Sequence, residues 1–465
     1  MTTLKRQLGL KSATALIIGE VIAVGVFLTP AGMTKSLGSP FWLLVIWLAM
    51  ALMAVCGAIC YGELAARFPE AGGGYVYLRE AYGRAAAFLY GWKCLLVMDP
   101  GIIAALAVGL ASYVGYLIPM GSKASKALAV AVIFGLALAN IIGVRVGARL
   151  LRLFVVLKII ALAAIIIWSI LTQAGNVSNF TPFIAQRPGS LSLIAGLAAA
   201  FVGAFFAFGG WWDLGKLAGE VRDPERNIPR ALILGVAGVA VVYIATSAVF
   251  IYLVPIESVT SGETFAAQAG AALFGEAGGS IFSIVVIISI LGSLCALMMS
   301  APRVYYAMAR DGLFPERVAE LHPRFGTPAR ATLVMAALAA VLVLIGSFNQ
   351  IVAYFVFVTV CFIAFTVIGT FVLRRRLGTP STYRAPGYPL TAIIFLAMVL
   401  LLLVLLGSNN PRQAFSGVAV MLLGVPVYYL LRKGKNDGLD PDNTSFRSGR
   451  ETPQSHRGST SSLPD

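Results

Sequence analysis

The feature that most constrains this chain is the recurrence of apolar stretches long enough to cross a bilayer. Spanning the hydrocarbon core as a helix takes about 20 apolar residues. Stretches of that order recur twelve times, at 12–36, 41–66, 84–118, 126–144, 150–172, 193–218, 229–253, 279–308, 330–347, 350–373, 387–407 and 411–431. Composition agrees: 59% of the residues are hydrophobic and 12% charged, against about 25% charged in an ordinary soluble domain. The fold class is therefore an all-α polytopic membrane protein with 12 transmembrane helices, and a soluble enzyme is excluded.

A formal net charge of +15 would suit a nucleic-acid partner, but the distribution of the charge points elsewhere. Basic residues cluster in alternate loops, as at Lys5, Arg6 and Lys11, at Arg145, Arg149 and Arg152, and at Arg374, Arg375 and Arg376. The intervening loops offer only Lys35, Lys123, Lys126, Arg187 and Arg412. This is the positive-inside pattern, which predicts an even number of spans and both termini cytoplasmic; the expected location is the plasma (cytoplasmic) membrane. No cleavable signal peptide is expected, because the first apolar stretch continues to spanning length without a small-residue cleavage site. Residues 1–11 form a cytoplasmic N-terminus, and residues 433–465, polar and without apolar period, a disordered cytoplasmic tail. The five cysteines all fall within expected spans and read as small core residues. No metal-ligand spacing occurs, and no cofactor is expected.

Two of the spans are interrupted. The sixth contains Phe205-Phe206-Ala207-Phe208-Gly209-Gly210-Trp211-Trp212-Asp213, with a glycine pair and a charge where a membrane helix should continue. Glycine has the lowest helix propensity after proline, so the helix opens here provided something hydrogen-bonds the freed backbone. The first span has Gly19-Glu20 and Gly25, followed by Pro30. Interruptions in spans one and six fit a repeat of five helices, and an odd number per repeat inverts the second copy. Residues 12–172 and 193–373 are then the two repeats and 387–431 two peripheral helices. Paired interrupted spans point to a midplane binding site between inverted repeats.

The connectors carry further signals. Gly62 through Gly83, with three consecutive glycines and mixed charges, predicts a cytoplasmic connector containing a short amphipathic helix. A phosphate cradle is disfavoured there, since no strand precedes the glycines and no Lys-Ser/Thr follows. Gly219 through Arg230, with two prolines, predicts a tight turn into the seventh helix. The stretch from Val254 to Ser280 predicts short external surface helices over a vestibule.

Taken together, Phe206-Ala207-Phe208-Gly209-Gly210-Trp211, the Glu220-to-Arg230 turn, the Gly62-to-Tyr77 loop, Gly143 through Arg149 and Arg303 through Gly312 resemble the amino acid-polyamine-organocation superfamily. The likeness is greatest to its L-type amino acid transporter branch and runs from about residue 10 to residue 430. The resemblance implies a LeuT-type fold, with a 5+5 inverted repeat plus two peripheral transmembrane helices, and alternating access. It also implies that the amides of Val24, Gly25 and Val26 hold a substrate carboxylate. Carbonyls near Val21 and of Phe206 and Gly209 would meet the substrate ammonium. Phe206 would gate the site, and Phe208 and Trp211 would shape it. Helix termini carry partial charges of the right sign for a zwitterion. Taken singly, Phe, Trp and Gly in a membrane helix are packing residues.

Intramembrane charges add the rest. Lys158 lies inside the fifth span, where a lysine is a functional expectation by default. In sodium-independent relatives a lysine here takes the place of a sodium ion, bridging the first helix to the eighth. Departures from the family pattern are Ala23-Val24-Gly25 at the first break, Glu20, Lys93 and Asp99 in the spans, and Trp212-Asp213 after the second break. Glu20 is expected to pair with Lys93, the alternative being that Glu20 couples to protons or meets a cationic substrate group. The function expected is sodium-independent exchange or facilitated transport of neutral L-amino acids, with the substrate and the bilayer as partners, no nucleic acid and no obligatory protein partner. The alternatives are a carrier of cationic amino acids or polyamines, suggested by Glu20, Asp99 and Asp213, and a non-transporting amino acid sensor.

Overall fold

A computed structural model describes residues 4–259, 265–345, 348–380, 382–409 and 411–433. Among them no strand occurs beyond an isolated bridge between Leu8 and Val221. The first interrupted span is a pair of short helices, α1 (Leu10–Val21) and α2 (Gly25–Leu37), bent by 46° at the break. Then come α3 (Pro40–Arg67) and a connector helix α4 (Gly74–Tyr82). The third span is α5 (Arg84–Lys93), a π-turn at Cys94–Met98 and α6 (Asp99–Leu117). Helices α7 (Ser122–Ile142) and α8 (Val144–Leu171) complete the first half.

The second half opens with α9 (Leu193–Phe208), which continues after Gly209-Gly210 as a 3₁₀ helix over Trp211–Glu220. It goes on through α10 (Pro224–Leu253), α11 (Phe265–Phe274), α12 (Gly278–Ser300), α13 (Pro302–Arg310), α14 (Ala329–Ile345) and α15 (Phe348–Leu377). Helices α16 (Leu390–Asn409) and α17 (Pro411–Lys433) follow. The tail expected to be disordered lies outside the described residues beyond Lys433.

Ten helices among the described residues are long and apolar enough to cross a membrane, and the bent α1–α2 pair brings the number to eleven. The expected twelfth span falls on α14, a 17-residue apolar helix at the short end of the spanning range.

The broken helix is the centre of the bundle. Helix α1 packs against α8, α10 and α12, whereas α2 lies along α9. Pro30 falls one turn into α2, and Thr29 returns a hydroxyl to the Gly25 carbonyl at 2.7 Å.

Charge holds the end of the bundle that bears the basic loops. Glu220 Oε1 accepts from Arg303 Nε at 2.6 Å, with both side chains buried. The Glu220 carbonyl takes the amides of Gln7 and Leu8 at 2.8 and 2.9 Å. Glu63 pairs with Arg374 and also accepts the Ala385 amide at 2.7 Å. In the connector, Arg79 reaches Asp311 and Glu80 at 2.9 Å and Glu70 at 3.0 Å. Burial disfavours the Arg79 charge, but Asp311 foremost and then Glu70 and Glu80 outweigh it and hold the guanidinium above its usual range. The glycine-rich connector is thus clamped by ion pairs.

Candidate substrate site

The two helix breaks touch. A Cβ on Gly25 would lie 2.6 Å from Ala207 Cα and 2.9 Å from its Cβ, so only glycine lets α2 meet α9 this closely. Gly210 has φ +113°, a left-handed conformation suited to glycine, and its bare Cα lies under Glu20, whose Cγ would sit 2.9 Å from an added Cβ.

The backbone freed at the first break divides into two sets. Its carbonyls are largely occupied. Gly19 O accepts from Lys158 Nζ at 3.0 Å and Ser293 Oγ at 2.6 Å. Ile22 O accepts from Lys158 Nζ and from Ser289 Oγ at 2.9 Å. Val21 O accepts from the Tyr243 hydroxyl and from the Ala23 amide, both at 2.8 Å. Its amides are open. The first N–H groups of a helix have no partner within it, and for Val24, Gly25 and Val26 no acceptor is found among the described residues.

At the second break Ala207 O accepts from Tyr243 at 2.8 Å, while Phe206 O receives only a long 3.4 Å bond from the Gly209 amide. A cavity of about 100 Å³ lies between the breaks. Val21, Val24 and Gly25 line it from the first span and Phe206, Gly209 and Trp212 from the sixth. Met98, Ile102, Ala105 and Leu106 close it from the third span, with Leu297 from α12 and Val356 and Thr359 from α15.

Beside the cavity sits a buried group of charges. Lys216 Nζ donates to Asp213 Oδ2 at 2.7 Å and Asp99 Oδ1 at 2.9 Å, and all three side chains are at most 1% exposed. The Tyr305 hydroxyl reaches Asp99 Oδ2 at 3.3 Å and the Cys94 carbonyl, in the π-turn, at 3.2 Å. Glu20 lines the cavity next to this group.

The amino acid permease family matches residues 8–431 of this sequence. The chain belongs to the amino acid permease family. The permease is 32% identical over 439 residues to the serine/threonine exchanger SteT of Bacillus subtilis (strain 168), covering 93% of this chain and 98% of that protein. It is 30% identical over 435 residues to Asc-type amino acid transporter 1 of Mus musculus, covering 92% and 81%. It is 30% identical over 441 residues to the large neutral amino acids transporter small subunit 2 of Homo sapiens, covering 92% and 80%. The permease is thus an amino acid transporter of the amino acid-polyamine-organocation superfamily and not an enzyme. Its all-helical membrane fold is of the LeuT type that goes with that superfamily.

Among the residues singled out in the sequence, the permease places Val21, Val24, Gly25, Phe206 and Gly209 on the cavity wall. Three others stand behind the wall. Val26 is fully buried, Phe208 packs on Trp47 and Tyr243 at ring distances of 6.0 and 5.1 Å, and Trp211 packs edge-on to Tyr61 at 5.2 Å. Lys158 also donates to Ser289 O at 3.1 Å, so its ammonium links α1 to α12.

The pairing of Glu20 with Lys93 is not found and is corrected here. Lys93 Nζ lies 4.5 Å from the Tyr90 ring centre and 5.6 Å from that of Phe362, with no ion-pair partner among the described residues. Aromatic faces hold it instead, and the cation that pairs with Asp99 and Asp213 is Lys216. That residue was missed because it stands near the exit of the sixth span. The signal available was its place three residues after Asp213, which a 3₁₀ helix puts on the same face.

Proposed function

We propose that this permease is a sodium-independent exchanger of neutral L-amino acids working by alternating access. The observation that carries the proposal is the cavity between the two breaks, mostly apolar, with Glu20, Thr359 and Trp212 as its polar side chains, and edged by the open amides of Val24, Gly25 and Val26. Those amides, at the positive end of α2, are assigned to the substrate carboxylate. The Phe206 and Gly209 carbonyls are assigned to its ammonium, because Val21 O already accepts two hydrogen bonds. Phe206, half-buried on the wall, is the gating aromatic, and Phe208 and Trp211 hold the wall from behind.

Sodium independence rests on Lys158. Its ammonium supplies a fixed positive charge to carbonyls of the first break and of α12 that a sodium ion would otherwise have to meet. Residues 12–172 and 193–373 are proposed as the inverted repeats, with 387–431 peripheral. The basic loops support both termini lying in the cytoplasm, and the plasma membrane is proposed as the location. A single chain is proposed to suffice, although one relative's name marks it as a small subunit. The size of the cavity and the serine/threonine exchanger among the relatives favour small side chains.

Glu20 on the wall supports a second reading, transport of cationic amino acids or polyamines. Counterflow in proteoliposomes made from the purified chain alone, with labelled serine, leucine and lysine and with and without sodium, tests both. Serine or leucine counterflow unaffected by sodium supports the first reading, and lysine counterflow alone supports the second.

A further inference from the structure

Three segments of the chain meet at Lys216, and two of them carry walls of the cavity. On the third span, Met98 and Ile102 stand four residues apart, share a helix face and line the cavity. Asp99 directly follows Met98. The π-turn over Cys94–Met98 closes where the Asp99 amide donates to the Cys94 carbonyl, and Pro100 has no N–H to continue the ladder. A π-turn adds one residue to the helix, which rotates the following face by about 100°. With that residue in place, Met98 and Ile102 face the cavity while the Asp99 carboxylate reaches Lys216 and Tyr305.

On the sixth span, Gly209, Gly210 and Trp212 form another wall. Asp213 follows Trp212, and Lys216 falls on the same face as Asp213 because a 3₁₀ helix repeats every three residues. Lys216 Nζ donates to Asp213 Oδ2 at 2.7 Å and to Asp99 Oδ1 at 2.9 Å, so a single ammonium joins the two walls. The Tyr305 hydroxyl on α13 secures the far side of Asp99, at 3.3 Å from Oδ2. Hydrogen bonds to charged groups are the strong ones, the more so in a low-dielectric interior, and the third span cannot slide or turn without breaking them.

The third segment is the glycine-rich connector. Gly72 donates its amide to the Lys216 carbonyl at 3.0 Å. Gly73, at φ +56°, packs so closely that a Cβ there would lie 2.7 Å from the Lys216 nitrogen. A Cβ on Gly215 would in turn lie 2.7 Å from the Tyr77 hydroxyl of α4. Bare backbone on both sides gives the 3₁₀ segment its seat. The connector therefore holds the backbone of Lys216, and the two walls share its side chain.

We infer that Lys216 is a positioning residue that sets the width of the substrate cavity, and through it the size of the side chain the transporter accepts. The inference rests on the transport reading proposed above and deepens it. Lys216 stands behind the cavity wall and does not line it, so it acts through its neighbours. Its ammonium holds Met98 and Ile102 at a fixed distance from Gly209 and Trp212, and the connector fixes where that ammonium lies. Severing the bridge lets the third span draw back, which weakens the grip on a small side chain and admits a larger one.

The experiment measures counterflow of labelled serine and of labelled leucine over a concentration series in proteoliposomes of the full chain. Lys216→Met alone strands two buried carboxylates. The informative variant therefore combines Asp99→Asn, Asp213→Asn and Lys216→Met, which removes the bridge and leaves no charge behind. It is expected to raise the half-saturating concentration of serine about tenfold while changing the maximal rate by less than about threefold, the pattern of lost binding. The ratio of leucine to serine initial rates is expected to rise several-fold. Asp99→Asn alone, which leaves Lys216 paired with Asp213, is expected to shift both quantities the same way by a smaller factor. So is Gly73→Ala, which disturbs the seat of Lys216 from the connector. Wild-type half-saturation and an unchanged leucine-to-serine ratio in a triple variant that still transports overturn the inference and leave the transport reading intact. A loss of maximal rate alone, equal for both substrates, also overturns it, because that is the mark of a structural brace. If the triple variant does not fold, the same two quantities in Asp99→Asn decide, and wild-type values or an equal loss for both substrates there overturn it as well. Absence of counterflow for every amino acid in the wild type overturns the transport reading and this inference with it.

Discussion

The Tyr243 hydroxyl lies 2.8 Å from the carbonyl oxygen of Val21 and 2.8 Å from that of Ala207, so one buried side chain on α10 joins the two helix breaks. Its ring is clamped edge-on between Trp47 and Phe208, each 5.1 Å away. Removing the hydroxyl strands a buried carbonyl, at a cost of about 1–3 kcal/mol. Tyr243→Phe is expected to lower the unfolding midpoint in detergent by several degrees and to slow counterflow. An unchanged midpoint with unchanged counterflow would contradict this role.

Lys158 tests the claim of sodium independence. Lys158→Ala removes the donor shared by Gly19, Ile22 and Ser289, although the serine hydroxyls of Ser289 and Ser293 remain on two of those carbonyls. A loss of about 1–3 kcal/mol corresponds to roughly tenfold or more in an equilibrium. Initial rates of counterflow should fall by about that factor, and the wild-type rate should not change when potassium replaces sodium. Full activity in the variant, or a wild type that requires sodium, would count against it.

Close approach of the breaks is a steric matter with its own control. Gly25→Ala puts a methyl 2.6 Å from Ala207 Cα, which the backbone cannot yield to cheaply. Gly203→Ala, on α9 facing Met33 at an ordinary 3.5 Å, should be neutral or slightly stabilising, because alanine is the better helix former by about 1 kcal/mol. Loss of counterflow in the first variant with retention in the second is expected. Equal behaviour would mean that the contact does not matter.

The buried pair of Glu220 with Arg303 should behave asymmetrically. Removing one partner strands a buried charge at about 3–5 kcal/mol, whereas replacing both by apolar residues is often close to neutral. Glu220→Gln should therefore destabilise the protein more than Glu220→Leu combined with Arg303→Met. Thermal unfolding of the two variants decides it, and a double variant no better than the single one would refute the reasoning. Because the Glu220 carbonyl also holds the amides of Gln7 and Leu8, the single variant should loosen the N-terminal segment to proteolysis as well.

How far the sequence carries can be judged residue by residue. The breaks are legible because glycine, second only to proline in its reluctance to be helical, and a carboxylate interrupt apolar runs. Lys158 is legible because a charge deep in an apolar stretch needs a partner. Lys216 is not, because its burial depends on the chain winding as a 3₁₀ helix for ten residues after Gly210. Such a run is uncommon and rises about 2.0 Å per residue. The pairing of Glu20 with Lys93 fails for the same reason, since sequence shows that charges need partners without showing which ones meet. The walls formed by Ile102, Leu106, Leu297 and Val356 carry no local mark at all. They are ordinary apolar residues of spanning helices, and only packing separates those facing the cavity from those facing lipid.

The most direct test of the central claim is binding and counterflow of one small neutral amino acid by the purified chain in sodium-free proteoliposomes. The account predicts that labelled serine is drawn in against unlabelled serine inside, and that Gly25→Ala abolishes the signal while Gly203→Ala preserves it. Serine counterflow that appears only on adding sodium, or that survives in Gly25→Ala, would contradict a backbone-built site at the junction of the two breaks.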